Sequence, residues 1–214
     1  MSIEDSEAIS QLCARRPLAV RVVRRRGLDP GSRRTLGASC QEAGLEVDVV
    51  LAELSAAEDA VAGDWRSRPI PELLDHVVRT YHRPFAAELD AVAALVDRAR
   101  PDDEPGIAMW SELRRQLDEL RADLEQHMMK EEGVLFPWLR GRADTAAAPI
   151  RAMQLEHGDT IQLLLDVHAF AARWSATGDA ARIVAVRLDE LEGWLCEHIH
   201  LENNELFRRV LEAT

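Results

Sequence analysis

The chain has 214 residues, 47% of them hydrophobic, which is enough to bury one medium-sized core together with a small accessory segment. Its 38 acidic and 26 basic residues give a formal net charge of −12, which argues against a nucleic-acid-binding protein because phosphates would be repelled. No apolar run approaches the roughly 18 residues of a membrane-spanning helix, and the acidic N-terminus lacks the apolar segment of a secretory signal.

Composition and turn residues predict an all-α protein that begins with a small domain. Only 5% of the residues are aromatic, β-branched residues are sparse, and alanine, leucine, glutamate and arginine abound. Residues 1–60 are predicted to form a small helical N-terminal domain, in which turns at residues 27–32 and at Gly44 separate three helices. A linker is predicted at residues 61–69.

Positive charge is concentrated at residues 13–34, which carry eight arginines and a single acidic residue, Asp29. Two interpretations of this segment are open. The arginines line a helix face that docks on the acidic remainder of the chain, or they form a docking site for an acidic partner.

Four long helical patterns follow, and they predict an up-down-up-down four-helix bundle over residues 70–214. The connections between them are short and contain turn residues or a proline that suits a first helical turn. The predicted helices run approximately over residues 71–99, 109–140, 149–174 and 180–211.

An internal repeat places polar residues on the buried stripes of these helices. The second and fourth helices repeat each other at an offset of 71 residues, and the first and third at an offset of 75. Spacings that alternate four and three identify the buried seam of a bundle helix, on which residues four apart point the same way. At about 1.5 Å rise per residue, the four histidines involved lie at one depth, about 26 Å from the same end of the bundle. The converging residues are His82, His127, Glu131, His157, His198 and Glu202.

This polar layer predicts a metal site. A single histidine on an apolar face is usually a hydrogen-bonded core residue, but two buried carboxylates without a partner would cost several kcal/mol each. No lysine or arginine lies on the stripes at that level to neutralise them, so a bound cation is expected. Imidazole with carboxylate and without thiolate favours iron or manganese over zinc. Six ligands suit two ions, each held by two histidines and bridged by both glutamates.

The order His-x-x-x-Glu, which occurs twice, differs from the His-Glu-x-x-His zinc motif and from the ferritin-type Glu-x-x-His motif. Three other histidines are expected to lie outside the layer: His76 and His200 face other directions, and His168 lies about 16 Å along its helix from the layer. Tyr81 is expected either to pack beside His82 or to form a hydrogen bond to the site.

The ligand order resembles that of the hemerythrin-like domain and, more closely, that of the iron-sulfur cluster repair di-iron proteins, known as the repair-of-iron-centres family. The resemblance covers nearly the whole chain, and its two His-x-x-x-Glu blocks are specific. It implies a hemerythrin-like bundle in which the six residues of the layer hold two non-haem iron ions, bridged by carboxylates and by an oxo or hydroxo group. The matching stretches lie at residues 64–67, 74–84, 127–137, 156–157 and 197–207.

The N-terminal residues are also similar to that family's small leading domain, with one departure. The family usually carries a Cys-Cys-Gly-Gly run after a Gly-x-Asp, whereas this chain continues from Asp29 with Pro30-Gly31-Ser32. Thiol chemistry attributed to that cysteine pair therefore cannot be carried over. The cysteines that are present, at positions 13, 40 and 196, stand far apart, which favours the reducing cytoplasm over a disulfide framework, and Cys40 is expected to be packed rather than reactive.

The resemblance implies a cytoplasmic protein that helps repair iron-sulfur clusters damaged by oxidants or nitric oxide. Its partners would be iron-sulfur proteins with damaged clusters and small ligands such as oxygen species or nitric oxide. No binding to nucleic acid or to a membrane is expected. Formation of a homodimer is left open. Two alternatives remain: a protein that binds or senses oxygen or nitric oxide, and a di-iron enzyme that consumes peroxide or nitric oxide. Whether the protein is an enzyme in the ordinary sense stays open.

Overall fold

The computed structural model describes residues 6–141, 146–175 and 178–212. Over these ranges the chain forms helices joined by short turns, and the one β-type pairing there is an isolated bridge between Ala8 and Thr35. The predicted all-α class is confirmed. No helix in the described part of the chain combines the length and the apolar character needed to cross a membrane.

The described residues of the N-terminal unit form four helices, one more than the sequence predicted. The additional helix, α1, has only seven residues, so its stability depends on packing rather than on its own propensity. The end of α3 follows the expected pattern, because Gly44 adopts a left-handed conformation with φ of 68° that glycine accepts without strain. The four helices are α1 (Ile9–Arg15), α2 (Ala19–Arg25), α3 (Leu36–Ala43) and α4 (Val47–Ala62).

This unit packs directly on the bundle. Helix α1 lies against the third bundle helix, and α4 lies against the fourth. Ile9 and Leu12 of α1 are completely buried in an apolar cluster that also contains bundle residues. A 3-10 turn at Gly63–Arg66 continues from α4 towards the bundle. The domain boundaries at residues 60 and 70 stay a prediction.

The four bundle helices follow the predicted order. The first packs against the second and the fourth, and the third packs against the same two, which is the arrangement of an up-down-up-down bundle. Three of the four contain a π-turn. The first comprises α5 (Ile70–Val77), a π-turn (Val78–His82) and α6 (Arg83–Arg98); the second comprises α7 (Glu104–Lys130), a π-turn (Glu131–Leu135) and α8 (Phe136–Gly141); the third is α9 (Ala147–Ser175); the fourth comprises α10 (Asp179–His200), a π-turn (Leu201–Phe207) and α11 (Arg208–Glu212).

The start of the second bundle helix differs most from the prediction. Helix α7 begins at Glu104 rather than near Met109, because the Asp103 carboxylate accepts a hydrogen bond from the Gly106 N–H at 2.8 Å and caps the helix. Pro105 then fits in the first turn, where its missing N–H is not needed. Helix α10 begins at Asp179, next to the predicted start at residue 180.

The polar layer separates two apolar clusters inside the bundle. One cluster lies on the side of α6, α7 and α10 and includes the N-terminal unit together with Phe85 and Leu124. The other lies on the side of α5, α8 and α11 and includes Phe136 and Phe207. Any charge placed between them is therefore shielded from water on both sides.

Candidate metal centre

The six side chains predicted as ligands meet in the layer between the two apolar clusters. Both glutamates lie at the start of a π-turn, and each follows a histidine of the preceding α-helix by four residues. His82 closes the π-turn of the first bundle helix, and His157 lies within α9. All six residues are buried, with exposed fractions of 6% or less.

His82 and His198 form the first half of the layer. Their Nε2 atoms lie 3.1 Å apart. Oε2 of Glu131 lies 3.4 Å from Nε2 of His82. Oε1 of Glu202 lies 3.7 Å from Nε2 of His82 and 3.1 Å from Nε2 of His198. Two imidazole nitrogens and two carboxylate oxygens therefore face one another.

His127 and His157 form the second half in the same way. Their Nε2 atoms lie 2.9 Å apart. Oε1 of Glu131 lies 3.5 Å from Nε2 of His127 and 3.8 Å from Nε2 of His157. Oε2 of Glu202 lies 3.1 Å from Nε2 of His157.

Each glutamate thus directs one oxygen into each half of the layer. Two ligands bound at about 2.1 Å to one ion and at right angles to each other stand about 3 Å apart. The separations between the paired imidazole nitrogens, 3.1 and 2.9 Å, match that value. The layer therefore offers two adjoining groups of four ligand atoms that share both carboxylates.

The surroundings of the carboxylate oxygens show whether these residues suit a cation. Glu131 and Glu202 are completely buried, and none of their four side-chain oxygens has a hydrogen-bond partner in the described part of the chain. A buried ionised carboxylate without a partner is strongly unfavourable, whereas coordination to a cation compensates for the lost hydration. The donor set of imidazoles and orphaned carboxylates fits a metal centre.

Without a cation, the layer already shifts protons between its own groups. Burial would raise the pKa of the Glu202 carboxyl, but the facing imidazoles of three histidines hold it well below its usual value. Burial would lower the pKa of His127, but the carboxylates of Glu131 and Glu202 raise it to about 9. Burial does lower the pKa of His198. Protons therefore stand where a cation would otherwise balance the two carboxylates.

Three of the four histidines in the layer have a hydrogen-bond partner at Nδ1, the ring nitrogen that points away from the layer. His82 Nδ1 lies 2.9 Å from Oε1 of Glu132, and His157 Nδ1 lies 2.8 Å from Oδ1 of Asn203. His127 Nδ1 lies 3.4 Å from Oε2 of Glu156, whose carboxylate also accepts hydrogen bonds from Lys130 at 2.8 and 2.9 Å. An acceptor at Nδ1 holds the proton there and leaves the Nε2 lone pair for the interior of the layer.

The imidazole of His198, the fourth histidine of the layer, is supported by an aromatic ring. Tyr81 stacks on His198 with ring centroids 5.3 Å apart and 10° between the planes. Of the two roles considered for Tyr81, packing against the site is the one observed. Phe136 and Phe207 stack in the same manner on His82 and His157.

The supporting residues follow one rule that sequence reasoning missed. Each is the immediate sequence neighbour of a candidate ligand, and it supports the histidine of the adjacent bundle helix rather than its own. The side chains of consecutive residues in a helix point about 100° apart. A residue next in sequence to a ligand that points into the layer therefore faces the adjacent helix of the bundle. The pairs, supporting residue first, are Glu132 with His82, Glu156 with His127, Asn203 with His157 and Tyr81 with His198.

The other histidines lie outside the layer, as expected. His76 stacks on Trp65, with ring centroids 4.3 Å apart. Nδ1 of His200 lies 3.0 Å from the side-chain amide nitrogen of Asn204. His168 belongs to a separate cluster on α9 and α10.

That cluster contains His168, Asp189 and Glu192, a third group of potential ligands. Its centre is occupied by Arg24 of α2, whose Nη1 lies 2.9 Å from His168 Nδ1, 3.8 Å from Asp189 Oδ1, and in direct contact with Glu192. Because a cationic side chain already balances these acids, the cluster is an ion-pair network that fastens the N-terminal unit to the bundle.

The arginines of residues 13–34 pair widely with acids elsewhere in the chain. Arg16 contacts Glu58 of α4, and Arg21 lies 3.1 Å from Glu197 of α10. These pairs agree with the interpretation that the basic segment docks on the acidic body of the protein.

Comparison with known proteins shows similarity over most of the chain. Residues 73–210 match the family described as Hemerythrin HHE cation binding domain. The iron-sulfur cluster repair protein YtfE of Escherichia coli O1:K1 / APEC is 35% identical over 189 residues, which cover 85% of this chain and 84% of the relative. The protein of the same name from Escherichia fergusonii shows the same identity and coverage.

Proposed function

The chain belongs to the family of the hemerythrin HHE cation binding domain, and from this premise we propose that it is a non-haem di-iron protein that takes part in the repair of damaged iron-sulfur clusters. The proposed ligands are the six residues of the layer. The observation that carries the proposal is the set of four buried carboxylate oxygens that face four imidazole nitrogens and have no hydrogen-bond partner among the described residues. The name of its curated relatives supports the same role.

The donor set supports iron and two ions rather than one. Imidazole and carboxylate without thiolate suit iron, and each group of four ligand atoms leaves coordination positions open on an ion that prefers six ligands. When bound, two iron ions would supply reversible ferrous–ferric redox chemistry at this layer. The protein's own contribution is to hold neutral imidazoles in position through Glu132, Glu156 and Asn203 and to exclude water with the flanking apolar clusters.

The chain's own thiols do not support a part in the repair chemistry. Cys13, Cys40 and Cys196 are free and buried. Burial raises the pKa of all three thiols, so each stays protonated and poorly nucleophilic. Reducing equivalents for a di-iron centre would have to come from outside the protein. Three unpaired cysteines are usual in a reducing compartment, and we place the protein in the cytoplasm.

The proposal is tested by pairing metal content with a repair assay. The iron-loaded protein should restore activity to an aconitase-type enzyme whose [4Fe-4S] cluster has been damaged by peroxide or nitric oxide. The variants His127→Ala and Glu202→Gln should lose both iron and repair, whereas His76→Ala, the same type of change outside the layer, should keep both. Failure of the iron-loaded protein to restore any activity would refute the repair role.

A second candidate function is supported by the buried cysteines. A protein without a reactive thiol is also suited to bind oxygen or nitric oxide reversibly, without any repair. Stopped-flow spectra of the ferrous protein distinguish the two. Reversible formation of an adduct, with no loss of iron and no recovery of the damaged enzyme, would favour binding or sensing over repair.

A further inference from the structure

Lys130 is the only lysine among the 26 basic residues of the chain. It ends α7 and directly precedes the candidate ligand Glu131. Its Nζ lies 2.8 Å from Oε1 and 2.9 Å from Oε2 of Glu156 on α9. Because Glu156 supports His127 in the second half of the layer, Lys130 reaches the metal layer through a single carboxylate.

The hydrogen bonds that support His127 and His82 differ in length. Oε2 of Glu156 lies 3.4 Å from Nδ1 of His127, beyond the range of about 2.7–3.2 Å that is usual for such a bond. Oε1 of Glu132 lies 2.9 Å from Nδ1 of His82, as expected for a charged acceptor. The longer bond belongs to the carboxylate that Lys130 engages at both oxygens, so the cation competes with His127 for it.

Glu132 has no comparable cation. Among the described residues its carboxylate pairs with His82 and with no lysine or arginine. The side chains of Glu132 and Glu156 are 45% and 38% exposed, so water screens charges that are not in direct contact with them. This screening applies to the arginines that line the surface cleft beside Glu132 without forming an ion pair with it, which are Arg79, Arg83 and Arg140. The two carboxylates therefore differ by one directly bound cation.

The charge of an outer partner changes how strongly a histidine binds a metal. A carboxylate that accepts a hydrogen bond from Nδ1–H raises the basicity of Nε2 and makes the imidazole a stronger ligand. A cation bound to the same carboxylate offsets its charge and weakens this effect. The supporting residues of the other two histidines, Asn203 for His157 and Tyr81 for His198, are uncharged. The contrast between the two halves therefore rests on the two carboxylates.

We propose that Lys130 is a positioning residue that makes the two halves of the layer unequal. By drawing Glu156 away from His127, it makes the second half the weaker of the two iron positions, and the ferrous ion held there is the first to leave. The ion leaves as Fe²⁺, with no electron transferred, and its bonds to His127, His157 and one oxygen of each glutamate are broken. The inference rests on the function proposed above only in requiring two iron ions in the layer.

Release of iron to a chelator tests the proposal. The full-length diferrous protein, with two iron ions per chain measured beforehand, is mixed with excess ferrozine in the absence of oxygen, and the coloured ferrous complex is followed by stopped flow. We expect two phases of equal amplitude. Lys130→Met should slow the fast phase severalfold and leave the slow phase unchanged, because Glu156 then serves His127 alone. The change should be smaller than the roughly tenfold or greater effect of removing a direct outer partner.

Matched variants separate the charge of Lys130 from any structural effect. The side chain is 44% exposed, so its replacement should not prevent folding, and Lys130→Arg, which keeps the cation, should retain the fast phase of the unaltered protein. Arg121→Met removes one positive charge from the same helix at 36% exposure and should change neither phase, because its ion pairs are with other acids. Glu132→Gln should accelerate the slow phase, because it weakens the support of His82 in the first half.

Several outcomes would overturn the proposal. Release of both ions from the unaltered protein in a single phase would do so, as would a Lys130→Met variant with an unchanged fast phase. It would also be overturned if Lys130→Arg slowed the fast phase as much as Lys130→Met, or if Glu132→Gln changed the fast phase instead of the slow one. A protein that binds no iron would refute the proposed function and this inference together, and the initial iron content distinguishes that failure from the others.

Discussion

In the metal-free protein, we expect the free energy of unfolding to fall as the pH rises from 6.5 to 8.5. Burial opposes the charge on His127, but the carboxylates of Glu131 and Glu202 outweigh it and raise the pKa of His127 to about 9. In the unfolded chain the pKa of a histidine is about 6.5. The proton on His127 therefore stabilises the folded protein fully below pH 6.5, and this stabilisation is lost as the pH rises through 9.

The size of the effect follows from that shift. A change in pKa from 6.5 to about 9 corresponds to about 3 kcal/mol, of which about 2 kcal/mol is lost between pH 6.5 and 8.5. The pKa of His82 is also raised, against its burial, by Glu202 and Glu131, so its contribution has the same sign. The pKa of His198 is lowered by burial, so this residue is neutral in both states above pH 6.5 and adds little.

Urea denaturation of the metal-free protein at pH 6.5, 7.5 and 8.5 measures the effect at constant ionic strength. His127→Gln should remove about 2 kcal/mol of the decline. His76→Gln should leave the decline unchanged, because burial lowers the pKa of His76 and it titrates below this range. A metal-free protein with constant stability across the range, or a His127→Gln variant with an undiminished decline, would refute the reasoning.

The stabilisation that the protein gains from bound metal should increase with pH, in contrast to the stability of the metal-free protein. Iron binds neutral imidazoles, so it must displace the protons that the metal-free layer holds. Because these protons are easier to remove at higher pH, the affinity for iron rises with pH. The increase in melting temperature on metal loading should therefore be larger at pH 8.5 than at pH 6.5. Equal increases at both values would mean that His127 is not protonated in the metal-free protein.

Two further predictions concern an ion pair outside the layer and a residue that supports a ligand. Arg24→Met should lower the free energy of unfolding by about 3 kcal/mol in urea denaturation, because it leaves the buried carboxylate of Glu192 without its cation, and Arg24→Met with Glu192→Gln should recover most of the loss. Asn203→Ala should weaken iron binding about tenfold in competition with a chelator, because His157 loses its outer partner, whereas Asn204→Ala should not.

The position of the layer could be predicted from sequence because it depends only on helical periodicity. His127 and Glu131 repeat at His198 and Glu202 with the same flanking apolar residues, and the predicted helix ends placed them at a common depth although α7 in fact begins earlier, at Glu104. Packing then brings these side chains together without any further information. Helix α1 could not be predicted in this way, because a seven-residue helix is stabilised by its contact with α9 and not by its own pattern.

The supporting residues depend on which helices are neighbours, and that is a property of the folded bundle. Glu132 looks like an exposed acid on its own helix, and its partner His82 is 50 residues away in sequence. Once the order of the helices around the bundle is known, the rule becomes simple. The neighbour of a ligand on one helix reaches the histidine of the helix beside it.

The π-turns could not be predicted from the spacing of apolar and ligand residues alone. Three bundle helices contain runs of buried residues spaced four, four and four, and each run spans the π-turn of its helix. Each four-residue step in an α-helix drifts about 40°, so three such steps leave the buried face, and a wider turn absorbs the drift. Helix α9 contains the same spacing at Met153, His157, Ile161 and Leu165 without a π-turn, so the spacing accompanies the π-turns but does not identify one. The runs are Val77, Tyr81, Phe85 and Leu89; His127, Glu131, Leu135 and Leu139; and His198, Glu202, Leu206 and Val210.

The π-turn of the second bundle helix can be tested by removing one residue. Val134 is 64% exposed, and its deletion changes the spacing after Glu131 from four to three, which a regular α-helix accommodates. Pro137 then follows an ordinary turn, and its ring clashes with the carbonyl four residues earlier, at a cost of about 3 kcal/mol. Deletion of Val134 should therefore destabilise the protein by about that amount in urea denaturation, and Pro137→Ala in the same chain should recover most of it. If Pro137→Ala recovers nothing, the π-turn does not serve to accommodate the proline.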